Sequence, residues 1–273
     1  MPVALSYPGV YIEELPSGVR SIAGVATSIT AFVGRAQRGP IDQPQRISSF
    51  AEYERKFGGL WTESTLSFAV YQYFQNGGGD ALIVRVHNAA ITGSAALPLT
   101  GAAAGTASFN ASSPGSWAAR VRVRVDHELD PDVVAANVAD TMFNLRIKDL
   151  ATGVLEIHRN VSITAGHARF VSAVLEQGSD LLRGPATLAA RPGASDPPAA
   201  TASDPFEDPS AVAVTVAANG DGAAITAAQL YSGNGLQAGK QGLYALEHAD
   251  LVNLMVIPPF SDQADLQQAD WDA

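Results

Sequence analysis

Short apolar runs separated by turn-forming residues predict the strands of an α/β sheet. The runs SITAFVG, residues 28–34, and ALIVRV, residues 81–86, are continuous, as in strands that are buried on both faces. A third run, LVNLMVIPPF, begins at Leu251 and closes on a proline pair. These runs indicate one sheet that combines residues 28–34, 81–86 and 251–257, although apolar runs alone do not give the order of the strands.

Two helices are predicted between the first two strands. Ser49 and Glu52 form a capping-box pattern that opens a short helix, and the glycines at 58 and 59 close it. A second helix stops at the glycine-rich turn 76–79, and its apolar face recurs at helical spacing at Leu66, Ala69, Val70, Tyr73 and Phe74. The order strand, helices, strand predicts a right-handed crossover onto a parallel strand.

The middle of the chain differs in composition from the segments that predict the core sheet. Residues 89–116 are mostly Ala, Gly, Ser and Thr, which predicts a linker or a loosely structured edge. Residues 142–150 and 154–161 predict a β-hairpin. The acidic, proline-rich segment 184–210 predicts a long exposed loop. Residues 167–183 predict a helix with an inner face of Phe170, Val171, Val174 and Leu175.

These elements predict an α/β core sheet with an inserted, mainly antiparallel α+β domain and an extended N-terminal arm. We assign residues 1–19 to the arm and residues 20–94 to the first part of the core. The inserted domain spans 95–215, and residues 216–273 return to the core. A helix start at Ser261 followed by only about three turns of chain leads us to expect that the sequence ends before its fold does.

Composition narrows the function classes. The 273 residues carry a formal net charge of −10, and only three of the 17 basic residues are lysines, which argues against binding nucleic acid through its phosphates. There are no cysteines, so disulfides, thiolate metal sites and cysteine nucleophiles are excluded. No secretory signal and no apolar run of eighteen residues is visible, so we expect no membrane insertion.

No motif for catalysis or for a cofactor or metal stands out. The segment 76–80, NGGGD, leads from a helix into a strand, so a helix end is favoured over an anion cradle. In SGNGLQAGKQG, residues 232–242, Asn234 and Gln241 occupy the positions where a phosphate loop needs glycine and a hydroxyl. The five histidines lack ligand spacing, and His158 is expected on the outer face of the hairpin.

The sequence contains one basic pattern with regular spacing. Arg120, Arg122 and Arg124 alternate with valines in WAARVRVRVD, so a strand here would present all three from one face, roughly 6–7 Å apart. They would meet an acidic partner, including another copy of this acidic chain. The alternative, to which we give equal weight, is that the three arginines lie on a strand face that contacts only solvent.

The first residues raise a question of their own. The segment SYPGVYIEELPSG, residues 6–18, holds a short alternating run fenced by prolines on both sides. A single strand is not stable in water, so it must join a sheet. The candidate contact residues are Tyr7, Val10, Tyr11, Ile12 and Glu13.

Several motifs in order resemble contractile tail sheath proteins of myophages, R-type bacteriocins and related injection systems. They are YPGVYIEELPSGVRSIAGVATSITAFVGRAQRGP near the start, then PQRISSFAEYERKFGG, LSFAVYQYFQNGGGDALIVRV and GLYALEHADLVNLMVIPP. The resemblance is dense over residues 6–88 and 242–259 and weak between them. Family members carry a substantial domain after the last motif, and this sequence has almost nothing there.

The resemblance implies a structural, non-enzymatic protein without a cofactor. Subunits would stack as hexameric rings around an inner tube and contract to drive that tube through a target envelope. The expected partners are other copies of the chain, the inner tail tube protein, and baseplate and tail terminator proteins, in a tail or phage-like particle assembled in the bacterial cytoplasm. Residues 7–14 would add as a strand to a neighbouring subunit's sheet. The alternative is a surface-binding module for glycans or receptors, carried by residues 95–215.

Overall fold

The computed structural model describes residues 29–100, 105–135 and 141–259. The strands are β1 (Thr30–Gly34), β2 (Gln45–Ile47), β3 (Ala81–Arg85), β4 (Ser94–Pro98), β5 (Thr106–Ala111), β6 (Val121–Asp126), β7 (Met142–Asp149), β8 (Leu155–Ser162), β9 (Leu182–Arg183), β10 (Val212–Ala213) and β11 (Leu254–Val256). The helices are α1 (Phe50–Phe57), α2 (Leu66–Gln75), α3 (Pro131–Ala135), α4 (Val171–Gly178), α5 (Ala227–Leu230) and α6 (Leu236–Gly239), with 3-10 helices at Ser116–Arg120 and Gly242–His248.

The three predicted core strands form one sheet, in the order β11-β1-β3-β2. β1 pairs in parallel with both β3 and β11, which confirms the predicted parallel strand and the sheet membership of all three apolar runs. β1 and β3 are buried along their whole length, as expected for central parallel strands covered on both faces. The short antiparallel strand β2, at one edge, was not predicted.

The two predicted helices pack on one face of this sheet. Ser49 caps α1 by accepting a hydrogen bond from the backbone N–H of Glu52, and Gly58 ends the helix at a φ of 97°. The apolar face of α2 packs into the same hydrophobic cluster, with Leu66 and Val70 fully buried. Capping chemistry and helical spacing therefore predict both helices correctly.

Two antiparallel sheets lie between the halves of the core. Their strand orders are β10-β6-β7-β8 and β4-β5-β9, and they share one hydrophobic cluster whose buried members all come from residues 95–214. The predicted hairpin is β7–β8, joined across residues 150–154. Val121, Val123 and Val125 of β6 point into the cluster, so the predicted alternation of this strand is confirmed.

Several expectations for this part of the chain are wrong. Residues 89–116 contain the hairpin β4–β5 instead of a linker, because even small residues alternate here: Ala95, Leu97, Ala107 and Phe109 face the cluster. The helix expected over 167–183 is limited to α4, and the chain then turns into β9.

His158 also departs from expectation, since its side chain is buried and not on the outer face. It shares the inner side of β8 with Glu156, whose carboxylate accepts hydrogen bonds from the Ser179 hydroxyl at 2.6 Å and the Asp180 amide at 2.9 Å. These bonds, at the end of α4, hold Glu156 inward. The alternation of β8 therefore turns Leu155 and Ile157 outward, and both are 47% exposed.

A buried arginine joins the core to the antiparallel part. Arg85, at the end of β3, donates to the carbonyls of Ala36 at 2.9 Å, Gly39 at 2.8 Å and Gln37 at 3.4 Å, and to that of Pro114 at 2.6 Å. Burial lowers its pKa to about 10, so the group stays charged at neutral pH. Four carbonyls replace the water that this cation gives up on folding.

Candidate subunit interface

The arm residues singled out from the sequence, Tyr7, Val10, Tyr11, Ile12 and Glu13, lie outside the described residues. Their role in strand exchange stays a prediction. Within the described residues, the β11 edge of the core sheet and the outer face of the antiparallel sheet are the candidate contacts with another subunit.

Among the described strands, none pairs with the outer edge of β11 in the core sheet. Leu254 is paired with Thr30 and Met255 with Ala31, so the two side chains point to opposite faces of the sheet. They are 58% and 51% exposed, whereas their partners on β1 are buried. An apolar edge strand that is open on both faces is a template for a further strand and for the layers that cover it.

The outer face of the antiparallel sheet carries a concentration of positive charge. Across β6 and β7, Arg122 lies opposite Lys148 and Arg124 lies opposite Arg146. Like charges directly opposite each other destabilise a sheet unless they are compensated. Arg146 is compensated locally by Asp126, at 2.9 Å.

The chain supplies much of the remaining compensation from its own acidic loop. Arg124 donates to the Ser210 hydroxyl at 2.7 Å and to the carbonyls of Pro205 at 3.0 Å and Asp196 at 2.5 Å. Lys148 pairs with the Asp204 carboxylate and lies 5.8 Å from the ring of Phe206. The loop 196–210 therefore lies over this basic face.

Local hydrogen bonds stabilise the charged form of two acids of this loop, Asp204 and Asp208. The Ser210 hydroxyl and the amides of Ala199 and Ser210 lower the pKa of Asp208 to about 2. The Lys148 side chain, followed by the Phe206 amide, lowers the pKa of Asp204. Asp204 and Asp208 thus help to hold the loop in its conformation.

The three alternating arginines are in different settings. Arg120 ends the 3-10 helix before β6 and is exposed, and Arg122 donates to the carbonyls of Ala119 and Val121. Arg124 is engaged by the chain's own loop. An interface role for this set therefore depends on Arg120 and Arg122.

Sequence reasoning missed the exposed apolar residues, because an apolar run does not show whether its side chains are exposed. They are Val154, Leu155, Ile157, Leu254 and Met255.

A cleft of about 310 Å³ lies where the core meets the antiparallel sheets. Four cations line it, but three of them have acidic partners: Arg38 pairs with Asp149, Lys56 with Glu52, and Arg183 with Glu176. Such a cleft has little net charge to offer an anion.

Within residues 29–100, 105–135 and 141–259, no group of three or more His, Asp or Glu side chains is arranged to hold a metal ion. In the same ranges, every helix is too short or too polar to cross a membrane.

Comparison with known proteins finds solved structures with low sequence identity to this chain and low TM-scores. No family model and no curated protein matches the chain. A sheath tail protein from Listeria innocua matches 71% of this chain and 34% of its own length, at 12% identity and a TM-score of 0.44. A sheath tail protein from Desulfitobacterium hafniense matches 68% of this chain and 37% of its own length, at 16% identity and a TM-score of 0.38. The chain thus spans about a third of the length of these structures.

Proposed function

We propose that this chain is a structural subunit of a contractile tail sheath, in a phage tail or a phage-like particle. Its work is then mechanical: copies polymerise as stacked hexameric rings around an inner tube, and a change in their packing drives the tube through a target envelope. The partners are other copies, the tube protein, and baseplate and terminator proteins. The proposal assigns no chemical step and no cofactor to the chain.

One observation carries the proposal. The sequence motifs that resemble sheath proteins lie far apart in the chain, yet those within the described residues form one unit: β1, β3 and β11 are adjacent strands, with α1 and α2 packed beside them. The edge strand of this unit, β11, is exposed on both faces, which suits assembly by strand addition. In this proposal, residues 7–14 of one copy add to a sheet of another copy, with Val10 and Ile12 filling pockets between its side chains.

We further propose that residues 95–215 form an inserted domain that projects outward from the sheath. Their own hydrophobic cluster supports a separately packed unit. The second candidate function assigns glycan or receptor binding to the same residues. Only the exposed apolar side chains of β8 favour it. Binding of the purified chain to a glycan array, lost on deletion of residues 95–215, would favour that alternative.

Deletion of residues 1–18 tests the proposal. A tagged chain is produced in cells that make the particles, and the particles are collected by sedimentation. The full chain should pellet with the particles, while the shortened chain stays in the supernatant and keeps the same thermal unfolding midpoint. Equal incorporation of both chains would contradict strand exchange by the arm.

A further inference from the structure

The outer face of β8 is the apolar surface of the antiparallel sheet that the acidic loop leaves open. Val154, Leu155 and Ile157 are each 47% exposed, in one short stretch at the β7–β8 hairpin. In the sheet, Leu155 lies opposite Lys148 and Ile157 opposite Arg146, so both belong to the basic outer face. Consecutive apolar side chains at this exposure on an edge strand mark an interaction surface.

The surface is held rigidly. The buried Asp149 carboxylate accepts hydrogen bonds from the Ala151 amide at 2.9 Å and the Thr152 hydroxyl at 2.8 Å, and the Val154 carbonyl accepts one from the Asp149 amide. A turn fixed in this way loses little conformational entropy when a partner binds.

The strand edge beside this surface is partly closed. Arg169 donates to the carbonyls of Arg159 and Asn160, and Asn160 has a φ of 49° at a register shift between β7 and β8. A bulge and an occupied carbonyl row prevent a long strand from adding here. A partner would therefore contact the side chains of the face.

The charge around the apolar residues indicates what that partner is. Arg159 is exposed and makes no ion pair with any described residue, whereas Arg146, which is 40% exposed beside Ile157, is already paired with Asp126. Cations that flank an apolar patch favour an acidic surface. The chain itself has a net charge of −10, so each copy offers an excess of carboxylates to its neighbours.

We propose that the outer face of β8, formed by Leu155, Ile157 and Arg159, together with Val154 in the adjoining turn, binds an acidic surface of a second copy of this chain. The proposal rests on the proposed function, because three half-exposed apolar side chains and one arginine fall well short of the about 800 Å² per partner that a stable complex buries. Such a contact is weak, so it forms at a high concentration of the chain or where copies are already held together.

Site-specific cross-linking tests this contact. The chain has no natural cysteine, so Val154→Cys places a single benzophenone-maleimide on the hairpin. In concentrated chain and in particles, illumination should give a covalent dimer whose linked peptide is rich in Asp and Glu. Ile157→Glu and Arg159→Glu, each added to the labelled chain, should lower the dimer yield about fivefold or more.

The control matched to Ile157→Glu is Gln177→Glu, which makes the same change in charge at an exposed position of α4, on the opposite side of the sheet. It should leave the yield unchanged, and thermal unfolding should show that all variants are folded. An unchanged yield in Ile157→Glu, or a cross-link only within one copy or to a protein or glycan other than this chain, overturns the proposal. Deletion of residues 1–18 separates the two claims, because it abolishes particle incorporation while the dimer still forms in concentrated solution.

Discussion

Arg38 and Asp149 form a buried ion pair, 3.4 Å apart, that joins the core to the antiparallel sheets. Arg38 lies in the loop after β1, and Asp149 ends β7, 111 residues further along the chain. Their side chains are only 12% and 4% exposed. Together with Arg85, this pair fixes the direction in which the β7–β8 hairpin leaves the core.

Asp149→Ala should lower the free energy of unfolding by about 3 kcal/mol, because it leaves a buried guanidinium without its carboxylate and removes two turn hydrogen bonds. Chemical denaturation monitored by circular dichroism measures the loss. The matched change Asp80→Ala breaks the exposed pair with Arg46, whose side chain is 61% exposed, and should cost less than about 1 kcal/mol. Equal losses would show that the Arg38–Asp149 pair adds nothing beyond a surface contact.

Arg85→Met should destabilise the chain by about 3 kcal/mol or more, since the carbonyls of Ala36, Gln37, Gly39 and Pro114 lose their donor in a buried site. Arg55→Met, at an exposed position of α1, serves as the control and should change stability by less than about 0.5 kcal/mol. A neutral result for Arg85→Met would mean that the junction repacks without its cation.

The cap of α1 should be replaceable by a residue with the same chemistry. Ser49→Ala removes the acceptor for the Glu52 amide and should cost about 1 kcal/mol, whereas Ser49→Asn should restore most of the loss. Thermal unfolding of the two variants measures the difference. If Ala and Asn behave alike, the side-chain cap does not stabilise this helix.

The acidic loop should open in acid. The pKa of Asp208 is lowered to about 2 and that of Asp204 is lowered as well, so the unfolded loop binds these protons at a higher pH than the folded loop does. The stabilisation is complete above about pH 4 and is lost as the pH falls toward about 2.

Pepsin measures this opening, because Phe206 is a good cleavage site that is only 7% exposed in the folded loop. Cleavage at Phe206, relative to a free peptide of residues 203–209, should rise between pH 4 and pH 2. Asp208→Asn should already be cleaved quickly at pH 4. A ratio that does not change with pH would show that these carboxylates do not hold the loop.

The helices and central strands of the core were predicted correctly from local sequence patterns. The cap marks α1, the apolar face at helical spacing marks α2, and continuous apolar runs mark β1 and β3. The strand β11 was likewise visible in its run, but its exposure was not, since exposure depends on what covers the edge. The hairpin β4–β5 escaped detection because alanines carry the alternation with a weak hydrophobic signal.

The candidate interface was harder to predict, because its partners are distant in sequence. Arg124 alternates with valines as predicted, yet its hydrogen-bond partners lie more than 70 residues away in the loop 196–210. His158 was expected on the outer face of the hairpin, whereas the structure places Leu155 and Ile157 there and buries His158. Hydrogen bonds from the end of α4 to Glu156 decide the orientation of β8, and no local pattern encodes them.

The most direct test of the sheath proposal is electron microscopy of particles that contain this chain, labelled with gold at a single introduced cysteine. The variant Thr152→Cys places the label on the exposed turn of the β7–β8 hairpin. We predict gold at regular intervals along the outside of a hollow, striated cylinder, on every ring. Gold at only one end of the particle, on fibres, or on chains that do not sediment with any particle would contradict the sheath account.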